Sequence, residues 1–313
     1  MMRVVTLVVV TFALASCSDS GLRPGEGFID VEGGRVWYRI VGSGDATPLL
    51  LLHGGPGAPS HYLNPLEGVS VDRPVVFYDQ LGAGRSDRPS DASLWQVDRF
   101  VHELAQVRDA LGLEEVHILG HSWGSMLALE YLLTKPDGVE SVVFASPVFS
   151  VTRWAADAQR LIATLPQEYR SAIERNEKAG TTDSAEYQAA TMEYYRRYLS
   201  ISDPWSPDLL AAFEGLNPDI YGSMWGPSEF TATGSLRMYE REDVLGELGL
   251  PVLYTAGRYD EATPETVEHY RGLTPNAEIE IFEHSAHMTM LDEPDAYVSA
   301  IRDFLSRIDR AQP

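Results

Sequence analysis

The sequence predicts an α/β protein with a mainly parallel sheet, an N-terminal hairpin and an inserted helical segment. Three observations carry this expectation. Six short apolar runs recur, "PLLLLHG" at 48–54, "PVVFYDQ" at 74–80, "EVHILG" at 115–120, "SVVFAS" at 141–146, "PVLYTAG" at 251–257 and "EIEIF" at 278–282. Their continuous hydrophobicity marks strands covered on both faces. Helical periods separate them, which implies crossovers and parallel pairing. The alternation then fails between residues 150 and 235, where no strand pattern occurs and Pro and Gly punctuate several helical stretches.

Taken in order, the hairpin comes first: "FIDV" from residue 28 turns through "EGGR" into "VWYRIV", with the Gly-Gly pair supplying the turn. Leu94, Val97, Val101, Leu104 and Leu111, joined by Phe100 and Val107, form an amphipathic helical stripe between the second and third apolar runs. Leu127 to Leu133 form another helix after the third. The interval from 151 to 240 holds seven of the 15 tyrosines and three of the 6 tryptophans, so most of these aromatics pack a small core of the insertion's own and a few line a pocket beneath it. The division is therefore a core of residues 28–149 and 236–313 with a helical cap at 150–235. With 313 residues, 44% of them hydrophobic, the chain is long enough to bury such a core.

Residues 1–16, "MMRVVTLVVVTFALAS", begin with one arginine, continue as an apolar run and end in small residues before Cys17, the single cysteine. This reads as a signal peptide. Leu14, Ala15, Ser16 and Cys17 resemble the bacterial lipobox, in which the cysteine is acylated and becomes the new N-terminus. Residues 17–27 read as a tether. The expected location is outside the cytoplasm, as a lipoprotein anchored at Cys17 in a bacterial cell envelope. The net charge is −22, and loss of residues 1–16 removes Arg3 and no acid. Such a balance excludes nucleic acid and anionic membrane surfaces as partners beyond the anchor itself.

The strongest chemical signal is "ILGHSWGSM", where G-x-S-x-G falls between a strand and a helix. That context is what a nucleophile elbow requires, and it makes Ser122 the nucleophile. A serine hydroxyl needs a base and an orienting acid. Among eight histidines, His284 and His287 lie in the loop after the last strand, at the sheet edge where Ser122 emerges. Asp260 follows the preceding strand, and the order serine, aspartate, histidine is that of α/β-hydrolases. The oxyanion that forms during attack needs fixed N–H donors. Trp123, immediately after the nucleophile, supplies one. The "HGGPG" loop at 53–57 supplies the other through Gly55, which lets the backbone approach the substrate. No cluster with metal-ligand spacing occurs, and no cofactor is expected.

"HGGPG", "DQLGAGRSD" at 79–87, "GHSWGS", "GRYDEATP" at 257–264 and "HMTMLDEP" at 287–294 together resemble the proline iminopeptidase branch of the α/β-hydrolases, across most of residues 28–308. The resemblance implies the α/β-hydrolase fold with a helical cap, and an enzyme that releases N-terminal residues, proline above all, from short peptides. It selects His287 as the base, because Asp292 and Pro294 follow at the family's spacing. It also assigns the second carboxylate of "GRYDEATP": Glu261 would bind the substrate's protonated α-amine, with Glu229 of "GPSEFTATG" as its partner from the cap. Two carboxylates facing one ammonium define an exopeptidase. An amino-acid amidase or an esterase on the same fold is the alternative.

Overall fold

A computed structural model describes residues 22–311 of the chain. Cys17 and the leader lie outside the described residues. Eight strands form one sheet in the order β1-β2-β4-β3-β5-β6-β7-β8. These are β1 (Gly25–Val31), β2 (Gly34–Val41), β3 (Leu49–Leu52), β4 (Val75–Tyr78), β5 (Val116–His121), β6 (Val139–Ala145), β7 (Val252–Gly257) and β8 (Ala277–Phe282). The β1–β2 hairpin adds antiparallel to β4, and every pairing from β4 to β8 is parallel. The α/β-hydrolase fold and the hairpin are as the sequence predicts.

Residues of β3, β4 and β5 are buried at every position, as continuous apolar runs require. β8 differs. Its burial alternates, with Glu278 and Glu280 exposed, because it is the sheet's edge and only one face is packed. "EIEIF" is therefore a half-covered strand and not one covered on both faces.

Helices α1 (Val97–Leu111) and α2 (Trp123–Leu133) pack on one face of the sheet. The stripe residues Phe100, Leu104 and Val107 are buried, whereas Leu94 lies before α1 begins. After β6 the chain leaves the sheet and builds α3 (Val151–Ile162), α4 (Gln167–Ala179), α5 (Ala185–Tyr198), α6 (Pro207–Gly215) and α7 (Pro218–Met224) before returning at β7. Residues from α3 to α5, with Phe230, enclose a separate small core. Then follow α8 (Pro264–Leu273), a single turn α9 (Thr289–Asp292) and α10 (Pro294–Ala311), the last covering the opposite sheet face. Among the described residues no helix is long and apolar enough to cross a membrane.

The site is positioned where the winding reverses. The chain passes from β3 outward to β4, then returns across β3 to β5, so the carboxyl ends of β3 and β5 flank a crevice. Ligands in open α/β sheets bind at such a switch point. The "HGGPG" loop leaves β3 there, and Ser122 leaves β5.

Candidate active site

Ser122 stands between β5 and α2 with φ 54° and ψ −121°, backbone angles that cost energy for any residue with a Cβ. The turn is held on both sides. The Ser122 amide donates to the Ala145 carbonyl at 3.0 Å, and its own carbonyl accepts from the Ser125 amide and hydroxyl at 2.8 and 2.5 Å. The flanking glycines are needed for space: a Cβ at Gly120 would lie 2.2 Å from the Gly124 carbonyl oxygen, and one at Gly124 would lie 2.1 Å from that of Leu52.

Asp260, in the loop after β7, is buried and accepts four hydrogen bonds. His287 Nδ1 and the Ala262 amide bond to Oδ1, both at 2.8 Å, while Ser146 Oγ and the Gly257 amide reach Oδ2 at 2.6 and 3.3 Å. An ionised carboxylate only accepts, so Nδ1 of His287 carries the proton and Nε2 is left as the basic nitrogen. His287 and Ser122 line the same cavity. His284 is exposed, and its amide bonds to Glu293 away from this cluster. Sequence reasoning missed Ser146. Its hydroxyl also lies 3.2 Å from the His287 carbonyl, so it ties the acid to the histidine's backbone; its position after β6, next to the strand that bears Asp260, was the available signal.

In the loop after β3, Gly55 has φ 109°, which excludes other residues, and lines the cavity beside Ser122. The preceding Gly54 amide is already bonded to the Tyr62 hydroxyl at 2.6 Å. This leaves the Gly55 amide free for a developing oxyanion. Trp123 is the first helical residue, so its amide has no intrahelical acceptor either.

Two buried histidines fix this loop. His53 accepts from the Gln80 amide at Nε2, 2.9 Å, and donates from Nδ1 to the Gly54 carbonyl, 3.0 Å. His121 donates from Nε2 to the His287 carbonyl at 3.0 Å, so its Nδ1 accepts from Tyr62, also at 3.0 Å. Burial lowers the pKa of both, that of His121 strongly and with help from the neighbouring His287, and keeps them neutral as these roles require. An unbroken chain thus runs from Gly54 through Tyr62 and His121 to His287. His53 and His121 serve the loop and are not the base.

Comparison with known proteins agrees with this architecture. Residues 47–294 match the alpha/beta hydrolase fold family. A proline iminopeptidase of Heyndrickxia coagulans is 49% identical over 90% of this chain and 99% of its own length. That of Clostridium botulinum is 37% identical over 91% and 99%. Among solved structures, the Mycobacterium smegmatis proline iminopeptidase superposes with a TM-score of 0.85 at 32% identity, covering 92% of this chain and 100% of that one. VinJ superposes at 0.88 with 34% identity, covering 91% and 100%.

The chain belongs to the proline iminopeptidase family of α/β-hydrolases.

In this proline iminopeptidase family member the two glutamates take unequal positions. Glu229 lines both cavities that open beside Ser122. Its carbonyl accepts from Trp154 Nε1 at 2.7 Å and Trp225 Nε1 at 3.2 Å, and these indoles meet edge to face at 5.8 Å. Glu261 is more deeply buried and lines neither cavity; among the described residues its oxygens have no well-formed hydrogen bond, with the Tyr194 hydroxyl close by. Glu229 therefore lies at the cavity wall beside Ser122, with Glu261 close to it and set deeper in the protein. Burial, then the charge of Glu229, then that of Asp260 raise the Glu261 pKa well above the carboxylate range. Burial raises that of Glu229 too, against the pull of His287 and the Tyr221 hydroxyl. Both shifts run in the direction that favours the neutral carboxyl.

Proposed function

We propose that the protein is a serine aminopeptidase that releases N-terminal residues, proline above all, from short peptides. The observation that carries the reading is a Ser-His-Asp constellation beside two carboxylates, Glu229 at the cavity wall and Glu261 buried near it, with no salt-bridge partner among the described residues. Ser122 Oγ attacks the carbonyl carbon while its proton passes to His287 Nε2; Asp260 holds the ring and stabilises the imidazolium. The Gly55 and Trp123 amides stabilise the oxyanion. The intermediate collapses as His287 gives that proton to the departing nitrogen, the C–N bond breaks, and an aminoacyl ester on Ser122 remains. Water, deprotonated by His287, attacks the ester, and the serine leaves with the proton. The substrate's α-ammonium pairs with Glu229 directly, and Glu261 reinforces the field. A blocked or absent amine leaves those carboxylates unpaired, and this favours free N-termini. Residues 150–235 act as the cap that encloses the site.

Glu261→Gln and Glu229→Gln test the reading against its amidase or esterase alternative. Each substitution should cost about 2–5 kcal/mol of transition-state binding for aminoacyl substrates, some 30-fold or more in kcat/KM. The Glu229 loss should be the larger. A neutral acetate ester should be hydrolysed nearly as before. Equal slowing of both substrate types would make these residues supports of the catalytic loop and remove the basis for an exopeptidase.

The location is proposed separately, from the leader sequence alone: cleavage before Cys17 and acylation of that cysteine place the enzyme on a bacterial envelope membrane by a lipid anchor.

A further inference from the structure

Two cavities meet at Ser122, and they differ in what stands beside it. The wider one includes His287 in its wall; the remainder is largely apolar, with Leu209, Ala212 and Phe213 of α6 and Leu216 just beyond. The narrower one lacks His287 and is walled by Trp123, Met126, Val148, Trp154 and Trp225. Glu229 and Gly55 border both.

The aminopeptidase chemistry decides which cavity holds which part of the substrate, and the subsite assignment rests on that reading. The departing nitrogen receives its proton from His287, so the departing peptide lies on the His287 side. The acyl residue then occupies the narrow, indole-walled cavity, with its amine at Glu229. We infer that the wide cavity is a leaving-group subsite that selects peptides whose second residue is large and apolar. Phe213 and Leu216 are only half buried, so a side chain seated there removes both its own surface and theirs from water. Phe213 is stacked on Trp205 at 5.4 Å with the rings nearly parallel, which gives the subsite a rigid aromatic wall. Among the described residues no lysine or arginine lines either cavity. The free carboxylate of a dipeptide would enter without a cation to meet it, so amidated or longer peptides are the preferred class.

The test is a series with the first residue held constant: Pro-Phe-NH2, Pro-Leu-NH2, Pro-Gly-NH2, Pro-Asp-NH2, free Pro-Phe and proline amide. The expected order in kcat/KM puts Phe and Leu at least tenfold above Gly, Asp below Gly, and free Pro-Phe well below Pro-Phe-NH2. Ala212→Trp, which fills the subsite, should bring the Phe-to-Gly ratio toward one. Should that variant not fold, product inhibition of the wild type gives the same information, with Phe-NH2 inhibiting at least tenfold more tightly than Gly-NH2. A series flat to within twofold, or one that favours Gly or Asp, overturns the subsite while leaving the aminopeptidase reading intact. Absence of turnover on all six compounds, proline amide included, overturns both.

Discussion

Asp260 accepts four hydrogen bonds, two from its own strand end and loop, one from just after β6 and one from His287, and this orients His287 more firmly than a two-residue contact would. Ser122→Ala and His287→Ala should each lower kcat by at least about 10⁴-fold, with no further loss in the double variant, since they act as one unit. His284→Ala should retain most turnover; a comparable loss there, measured with the same aminoacyl anilide, would contradict the assignment. The buried carboxylates allow a second prediction at this scale. Glu261 has a folded-state pKa raised above its ordinary value of 4.5. Its contribution to stability is therefore complete below pH 4.5 and is lost as pH rises toward the folded value. Glu261→Gln removes that loss. It should raise Tm by a few °C or more at neutral pH, with the gain shrinking to nothing near pH 4.5, as differential scanning calorimetry across pH would show. A gain independent of pH would point to packing instead. Ser122, Asp260 and the pair His284 and His287 were legible because they follow strands at one sheet edge, while the choice of His287 came from the family spacing of Asp292 and Pro294. Ser146 and Tyr62 were harder to see, because Ser146 meets Asp260 across 114 positions and Tyr62 joins Gly54 to His121, 59 positions further on. The same holds for the order of the two glutamates, which depends on how Trp154 and Trp225 hold the backbone at Glu229.

The helical segment between β6 and β7 is tied to the catalytic loops by specific bonds. The amides of His287 and Met288 donate to the carbonyls of Tyr198 and Leu199 at the end of α5, at 3.1 and 2.8 Å. Asp292 gathers the next stretch, accepting from the hydroxyls of Ser200 and Ser202 at 2.7 and 2.8 Å and from the amides of Ile201, Ser202 and Ala286. Asp157 of α3 does the equivalent for the Asp260 loop, taking bonds from Thr263 and Thr266 at the start of α8. Asp292→Ala strands several of these donors and should cost about 2 kcal/mol or more of stability. It should also lower kcat about tenfold or more, because the stretch it holds begins at Ser200, directly after Tyr198 and Leu199, whose carbonyls bind His287 and Met288. Urea denaturation and steady-state kinetics on one preparation separate the two effects; reduced stability with unaltered kcat would confine Asp292 to a structural role. The sequence showed Asp292 only as a family spacing. Strand positions were legible because burial on both faces leaves an uninterrupted apolar run, but which cap segment meets which loop is decided by tertiary contacts that no local pattern records.

At the scale of the whole molecule, charge and leader are the legible features. An excess of 22 acidic charges fits a catalyst that receives cationic N-termini, although exposed charges act weakly across a Debye length of about 8 Å at physiological salt. The proposed anchor at Cys17 predicts that the protein expressed in a bacterial host enters the detergent phase on Triton X-114 separation, and that Cys17→Ala stays aqueous. One acyl chain binds a membrane only marginally, so the partition measures multiple acylation. An aqueous wild type would reduce the leader to an ordinary cleaved signal. The alternation along β8 has a separate outcome at this scale. An open sheet ends in a strand whose outer amides and carbonyls offer themselves to any neighbouring chain. Here that strand shows Glu278 and Glu280 to solvent. Glu278 is ion-paired with Arg307 of α10, but a second molecule laid edge to edge would bring Glu280 carboxylates toward carboxylates, and like charges across a strand pair repel. The sheet is therefore discouraged from growing past its eighth strand, and molecules crowded together have less tendency to join into fibres.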